Sequence, residues 1–94
     1  MTQVEHDAAK DRFVAQVGSG EAELTYVERD GRVLDLTHTF VPPEGRGQGI
    51  GEDLVEFAFA YARENDYRIK ATCPYVRNWL EDHPEKHAQL SERV

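Results

Sequence analysis

The chain has 94 residues, enough for one domain with one compact core; at this length folding buries only about 60 to 65% of the surface that an unfolded chain exposes. With 18 acidic and 11 basic residues its formal charge is -7, which argues against a general nucleic-acid binder, since such proteins carry a basic face or stripe. A single cysteine excludes an internal disulfide, and no leader-like or long apolar run occurs, so the expectation is a cytoplasmic chain without membrane association.

In chain order, residues 1–11 are polar and acidic with no sustained period and read as a frayed lead-in. Arg12 to Val17 alternates, with Phe13, Ala15 and Val17 on one face, and Gly18-Ser19-Gly20 breaks the pattern as a hairpin turn would. Glu21 to Arg29 alternates again, with Ala22, Leu24 and Tyr26 on one face, until Asp30-Gly31 supplies the next hairpin signal. Val33 to Val41 is the third predicted strand. Its alternation puts Leu34, Leu36, His38 and Phe40 on one face and Val33, Asp35, Thr37 and Thr39 on the other. Pro42-Pro43 ends it, because proline has no N–H to give a ladder.

From Gly49 the period becomes helical, with Ile50, Leu54, Phe57 or Ala58, and Tyr61 along one stripe, and Asn65 is a plausible helix end. Arg68 to Cys73 alternates once more, and a strand reached through a helix from the preceding strand should run parallel to it. Pro74 closes that strand and suits the first turn of a short helix through Asp82, with Val76, Trp79 and Leu80 on its buried side and His83-Pro84 as its stop. Glu85 to Val94 reads as either a final helical turn or a tail.

The stretch most suggestive of chemistry joins the third strand to the long helix. Gly47, Gly49 and Gly51, at alternate positions, allow a tight turn and a close backbone approach to a ligand. The helix that follows contributes unpaired N–H groups and a partial positive charge, so the loop is a ready anion site, most naturally for a phosphate. A P-loop is excluded because Gly51 is followed by Glu52 and Asp53 rather than Lys and Ser or Thr. A dinucleotide fingerprint is a poor match, since the spacing is G-x-G-x-G.

Arg46-Gly47-Gln48-Gly49-Ile50-Gly51 resembles the R/Q-x-x-G-x-G/A segment of the GNAT N-acetyltransferases, and the run from His38 to Gly51, followed by Cys73-Pro74-Tyr75-Val76 and His83-Pro84-Glu85, resembles the small single-domain members of that group. The resemblance covers about Arg12 to Glu85. It implies a reduced α/β (α+β) GNAT-like fold spanning 1–94: three antiparallel strands, a helix crossover, a fourth, parallel strand and a short helix. It also implies acetyl-CoA as substrate, with Arg46, Gly47, Gln48, Gly49, Ile50 and Gly51 at the diphosphate and the backbone of Thr39, Phe40 and Val41 along the pantetheine arm.

By the same resemblance Cys73 and His38 are the candidate catalytic pair near the acetyl group, and Tyr75 a candidate donor to the departing thiolate. Two roles for Cys73 stay open: acetylation by the thioester with His38 lowering its pKa, or lining the pocket while an amine attacks directly. A lone cysteine after Ile69 and Ala71, and a histidine in an apolar row, also suit plain core positions. The remaining histidines, His6, His83 and His87, have no metal-ligand spacing and suit surface or capping roles. The implied function is N-acetylation of a small amine or of a protein lysine or N-terminus. The alternative is a non-catalytic module that binds CoA or a protein. Because the chain lacks elements that form much of the acceptor site in larger relatives, that site is expected to be open or completed by a partner protein or a second copy.

Overall fold

The computed structural model of the chain describes residues 2–91. Its elements are β1 (Val4–Asp7), β2 (Arg12–Val17), β3 (Gly20–Arg29), β4 (Val33–Phe40), α1 (Ile50–Glu64), β5 (Arg68–Ala71) and α2 (Pro74–Glu81), with short 3-10 turns at Ala8–Lys10, Pro43–Gly45 and Pro84–Gln89. The strands form one sheet in the order β1-β2-β3-β4-β5, antiparallel except for the parallel β4–β5 pair reached through α1. The mixed α/β class and the helix crossover are those expected of a GNAT-like fold.

Alternation decides the layers. Phe13, Ala15, Val17, Ala22, Leu24, Tyr26, Leu34, Leu36 and Ile69 point to one side and share a single core with Leu54, Val55, Ala58 and Phe59 of α1 and Val76, Trp79 and Leu80 of α2. The two helices meet through Phe59 and Trp79, whose rings are 5.0 Å apart. On the opposite face Arg12 binds Asp7, Glu21 and Glu23 at 3.0, 3.2 and 2.9 Å, tying together β1, β2 and β3.

Three features differ from the sequence expectation. Val4–Asp7 is an edge strand rather than a frayed lead-in, paired Val4↔Ala15 through Asp7↔Arg12. It is held by His6, which stacks on Phe13 at 4.8 Å and places Nε2 2.7 Å from the Tyr26 hydroxyl, so this histidine is part of an aromatic cluster and not a surface residue. Second, the last described residues join β5: Leu90 pairs with Ile69, and the Ser91 N–H donates to the Ile69 carbonyl at 2.8 Å.

The third difference reorients the site. The β3–β4 register shifts from Thr25↔His38 to Tyr26↔Leu36, so Thr37 is an extra residue, a bulge that switches which face later side chains take. Beyond it Thr39 opposes inward-facing Leu24, while His38 and Phe40 oppose Thr25 and Glu23 on the outer face. His38 is therefore exposed and does not share the face of Leu34 and Leu36.

Candidate functional site

β5 pairs with β4 only as far as Leu36↔Ala71. The Leu36 carbonyl then accepts N–H groups from both Thr72 (3.1 Å) and Cys73 (2.9 Å), after which the chain turns into α2. From Thr37 to Phe40, β4 runs on with no strand on that side among the described residues. Buried Asp35, 1% exposed, braces the last shared rung: the Thr72 hydroxyl donates to its Oδ1, and Arg29 donates to its Oδ2 through two nitrogens. The sheet thus opens at a fixed point.

The start of α1 faces that opening. Gly47 and Gly49 have φ of 80° and 76°, in the left-handed region that L side chains rarely adopt, and an added Cβ at either would meet no atom within 4 Å. Gly49 is the N-cap; the first intrahelical bond runs from the Asp53 N–H to its carbonyl at 3.0 Å, and no side chain caps the amides ahead of it. Those N–H groups, with the positive end of a 15-residue helix behind them, suit an anion.

Gly51 has a different reason to be glycine. A Cβ there would stand 2.7 Å from the Tyr75 hydroxyl oxygen. Pro74, at the first turn of α2, starts the helix so that the Tyr75 ring lies over the first turn of α1. The Tyr75 pKa is raised, first by burial of its hydroxyl end and then by the carboxylates of Glu52 and Asp53 and by Cys73. Although 41% of the residue is exposed, the hydroxyl itself lies against the Gly51 backbone, so burial leads among the causes. It remains a proton donor at physiological pH.

Between these elements lies a pocket of about 480 Å³, walled by the end of β4 (Thr39, Phe40) and Val41 just past it, the loop and first turn of α1 (residues 45–47 and 49–52) and Tyr75. Of the residues expected to bind the cofactor, all but Gln48 line it; the Gln48 amide instead donates to the Glu44 carbonyl at 3.0 Å. Arg46 Nε donates to the Val41 carbonyl at 3.1 Å, which anchors the guanidinium at the pocket edge with its other N–H groups available.

Of the expected catalytic pair, Cys73 lies at the splay but is buried, 3% exposed, and does not line the pocket. Its Sγ is 3.4 Å from Thr39 Oγ1. His38 is on the other face of the sheet, so the two are not brought together; the bulge at Thr37 separates them. Gly45 and Glu52 also line the pocket and were not foreseen. Gly45 is fixed by packing, since its Cβ would fall 2.6 Å from Val17 Cγ1, a contact no local pattern announces. Among the described residues no three His, Cys, Asp or Glu side chains gather to hold a metal, and no helix is long and apolar enough to cross a membrane.

Comparisons with known proteins bear on the family and the fold. Protein NATD1 of Gallus gallus is 33% identical over 84 residues, covering 87% of this chain and 76% of that protein. Protein NATD1 of Danio rerio is 31% identical over 93 residues, covering 97% and 83%. A GCN5-like protein from Staphylococcus aureus, solved by NMR in solution, superposes with a TM-score of 0.74 at 26% identity, over 95% of this chain and 87% of that one. Residues 12–90 match the GCN5-related N-acetyl-transferase family, and the chain belongs to that family.

Proposed function

We propose that the chain is an acetyl-CoA-dependent N-acetyltransferase. The observation that carries this reading is the uncapped, glycine-turned start of α1, which opens into a pocket at the point where β4 and β5 part. The amides of that turn and Arg46 hold the diphosphate, and the free edge of β4 from Thr39 to Val41 runs beside the pantetheine arm. A neutral amine attacks the thioester carbonyl carbon; the C–N bond forms, the C–S bond breaks and its electron pair leaves on sulfur. The Tyr75 hydroxyl protonates that thiolate. His38, on the outer face of the sheet, does not line the pocket, so the proton the amine loses passes to water and from there to the Tyr75 phenolate. Because the Tyr75 pKa is raised, any loss of activity through its ionisation lies above the ordinary tyrosine value of about 10.

The acceptor is a small amine or an exposed amine of a protein, reached through an open site or one completed by a partner protein or a second copy. A reducing, cytoplasmic setting suits the free Cys73 thiol. A second reading is a non-catalytic CoA-binding or protein-interaction module; its protein-interaction form draws on Glu52, which lines the pocket with a charge that opposes a polyanionic ligand.

Thermal unfolding with CoA, acetyl-CoA, NAD and ATP separates ligand classes: at a hundred times its dissociation constant a ligand adds about 2.7 kcal/mol, or roughly 10 to 20 °C for a domain of this size. Only the CoA forms should produce that shift. Release of CoA from acetyl-CoA in the presence of an amine panel then supports transfer. Binding of CoA with no release for any amine supports the module reading instead.

A further inference from the structure

At the inner end of the pocket two groups stand in a definite order. Thr39 is part of the wall, and Cys73 lies behind it, buried, with Sγ 3.4 Å from Thr39 Oγ1. We infer that Thr39, rather than Cys73, meets the acyl end of the bound thioester, and that Cys73 is a positioning residue acting through the Thr39 hydroxyl. The inference rests on the acetyl-transfer reading above.

The bulge at Thr37 is what turns Thr39 toward this pocket; with an unbroken alternation its hydroxyl would face the outer side of the sheet. A hydroxyl has one proton and two acceptor sites, and a thiol is a weak donor. Cys73 Sγ is the only hydrogen-bond partner of Thr39 Oγ1 among the described residues. Either atom can donate across this contact; when the departing thiolate draws the Thr39 proton into the pocket, the Cys73 thiol donates to Oγ1. Threonine is stiff about χ1, so this part-buried contact is enough to select the rotamer. Cys73, in contrast, lacks what a nucleophile needs, since no base touches it and His38 is on the far face of the sheet.

In the transfer step Thr39 donates a hydrogen bond to the sulfur as the C–S bond breaks and keeps its own proton. The proton that completes CoA comes from Tyr75, and the amine's proton restores Tyr75.

The test is steady-state turnover of acetyl-CoA with an amine substrate by Thr39→Val, Thr39→Ser, Cys73→Ala and Cys73→Ser, each checked for a native unfolding transition. Thr39→Val is nearly isosteric, and losing one transition-state donor should lower kcat about 100-fold, with KM for acetyl-CoA changed about 3-fold or less. Thr39→Ser restores most of the rate. Cys73→Ala costs about 10-fold or less, and Cys73→Ser less still. Intact-mass measurement after incubation with acetyl-CoA alone should show no acetyl adduct on Cys73. An adduct there, or inactive Cys73→Ala beside fully active Thr39→Val, overturns the inference while leaving acetyl transfer standing. A wild-type protein inactive with every amine overturns the transfer reading and this inference with it.

Discussion

At its C-terminal end α1 is closed by the protein's own groups: the Asn65 side chain and backbone both donate to the Tyr61 carbonyl (2.9 and 3.0 Å), the Tyr67 N–H to Ala62, and Arg32 to the carbonyls of Asn65 and Asp66 while its guanidinium lies 4.1 Å over the Tyr67 ring. At its N-terminal end a left-handed glycine starts the helix, no side chain caps it, and two acidic residues occupy the first turn. The same 15-residue helix has one end satisfied from within and one end presented to a cleft. Glycine as N-cap gives up only a few tenths of a kcal/mol against Ser, Thr, Asp or Asn, and it leaves the first amides of the helix facing the cleft, an arrangement that suits an anion.

The strongest way to break the contrast acts on the closed half. Tyr26, 7% exposed beneath the aromatic cluster that includes Tyr61, has a pKa pushed up to about 12, first by burial. The folded value lies above the unfolded one of about 10, so this contribution is fully present below pH 10 and is lost as pH rises toward 12. A shift of this size is worth about 2 to 3 kcal/mol. Urea midpoints at pH 8 and 11.5 should differ accordingly in the wild type, and Tyr26→Phe should lack that alkaline component.

At the open end, Arg46→Ala removes charge-assisted contacts to phosphate and should weaken acetyl-CoA binding about 10- to 100-fold in calorimetric titration, with an unchanged melting temperature. Asn65→Ala is its mirror image: a loss of about 1 kcal/mol, or roughly 4 to 8 °C, with acetyl-CoA affinity unaltered. A variant of either kind that moved both quantities would mean that the ends are coupled. The smallest effect expected is that of Glu52→Gln, which relieves repulsion at the pocket and should tighten binding about 2- to 5-fold at low salt and hardly at all at high salt.

Much of the fold is legible where one force dominates. Phe13, Ala15 and Val17, or Leu54, Ala58 and Tyr61, declare their elements by apolar period alone, and the Pro42-Pro43 and Gly31 breaks fall where the backbone must turn. The first edge strand is hidden because its inward residues are only Val4 and His6, and His6 is made at home there by a hydrogen bond to Tyr26, 20 residues away. The loop of the site is readable because glycines with φ near 80° advertise their backbone requirement. The partner of Cys73 is not. An added residue at Thr37 leaves the local alternation looking intact, so His38 and Phe40 read as inward although Thr39 holds that place. Asp35, which alternation places with Thr37 and Thr39, is buried because Arg29 on the adjacent strand β3 and Thr72, 37 residues on and just past β5, meet its carboxylate.

The most direct measurement is a heteronuclear NMR titration of the amide resonances with CoA. The account predicts large, saturable shifts at Gly47, Gly49, Ile50 and Gly51, while the amides of Asn65 and Tyr67 at the other end of α1 stay where they are. Unmoved glycine amides at saturating CoA, or shifts confined to another surface, would contradict it.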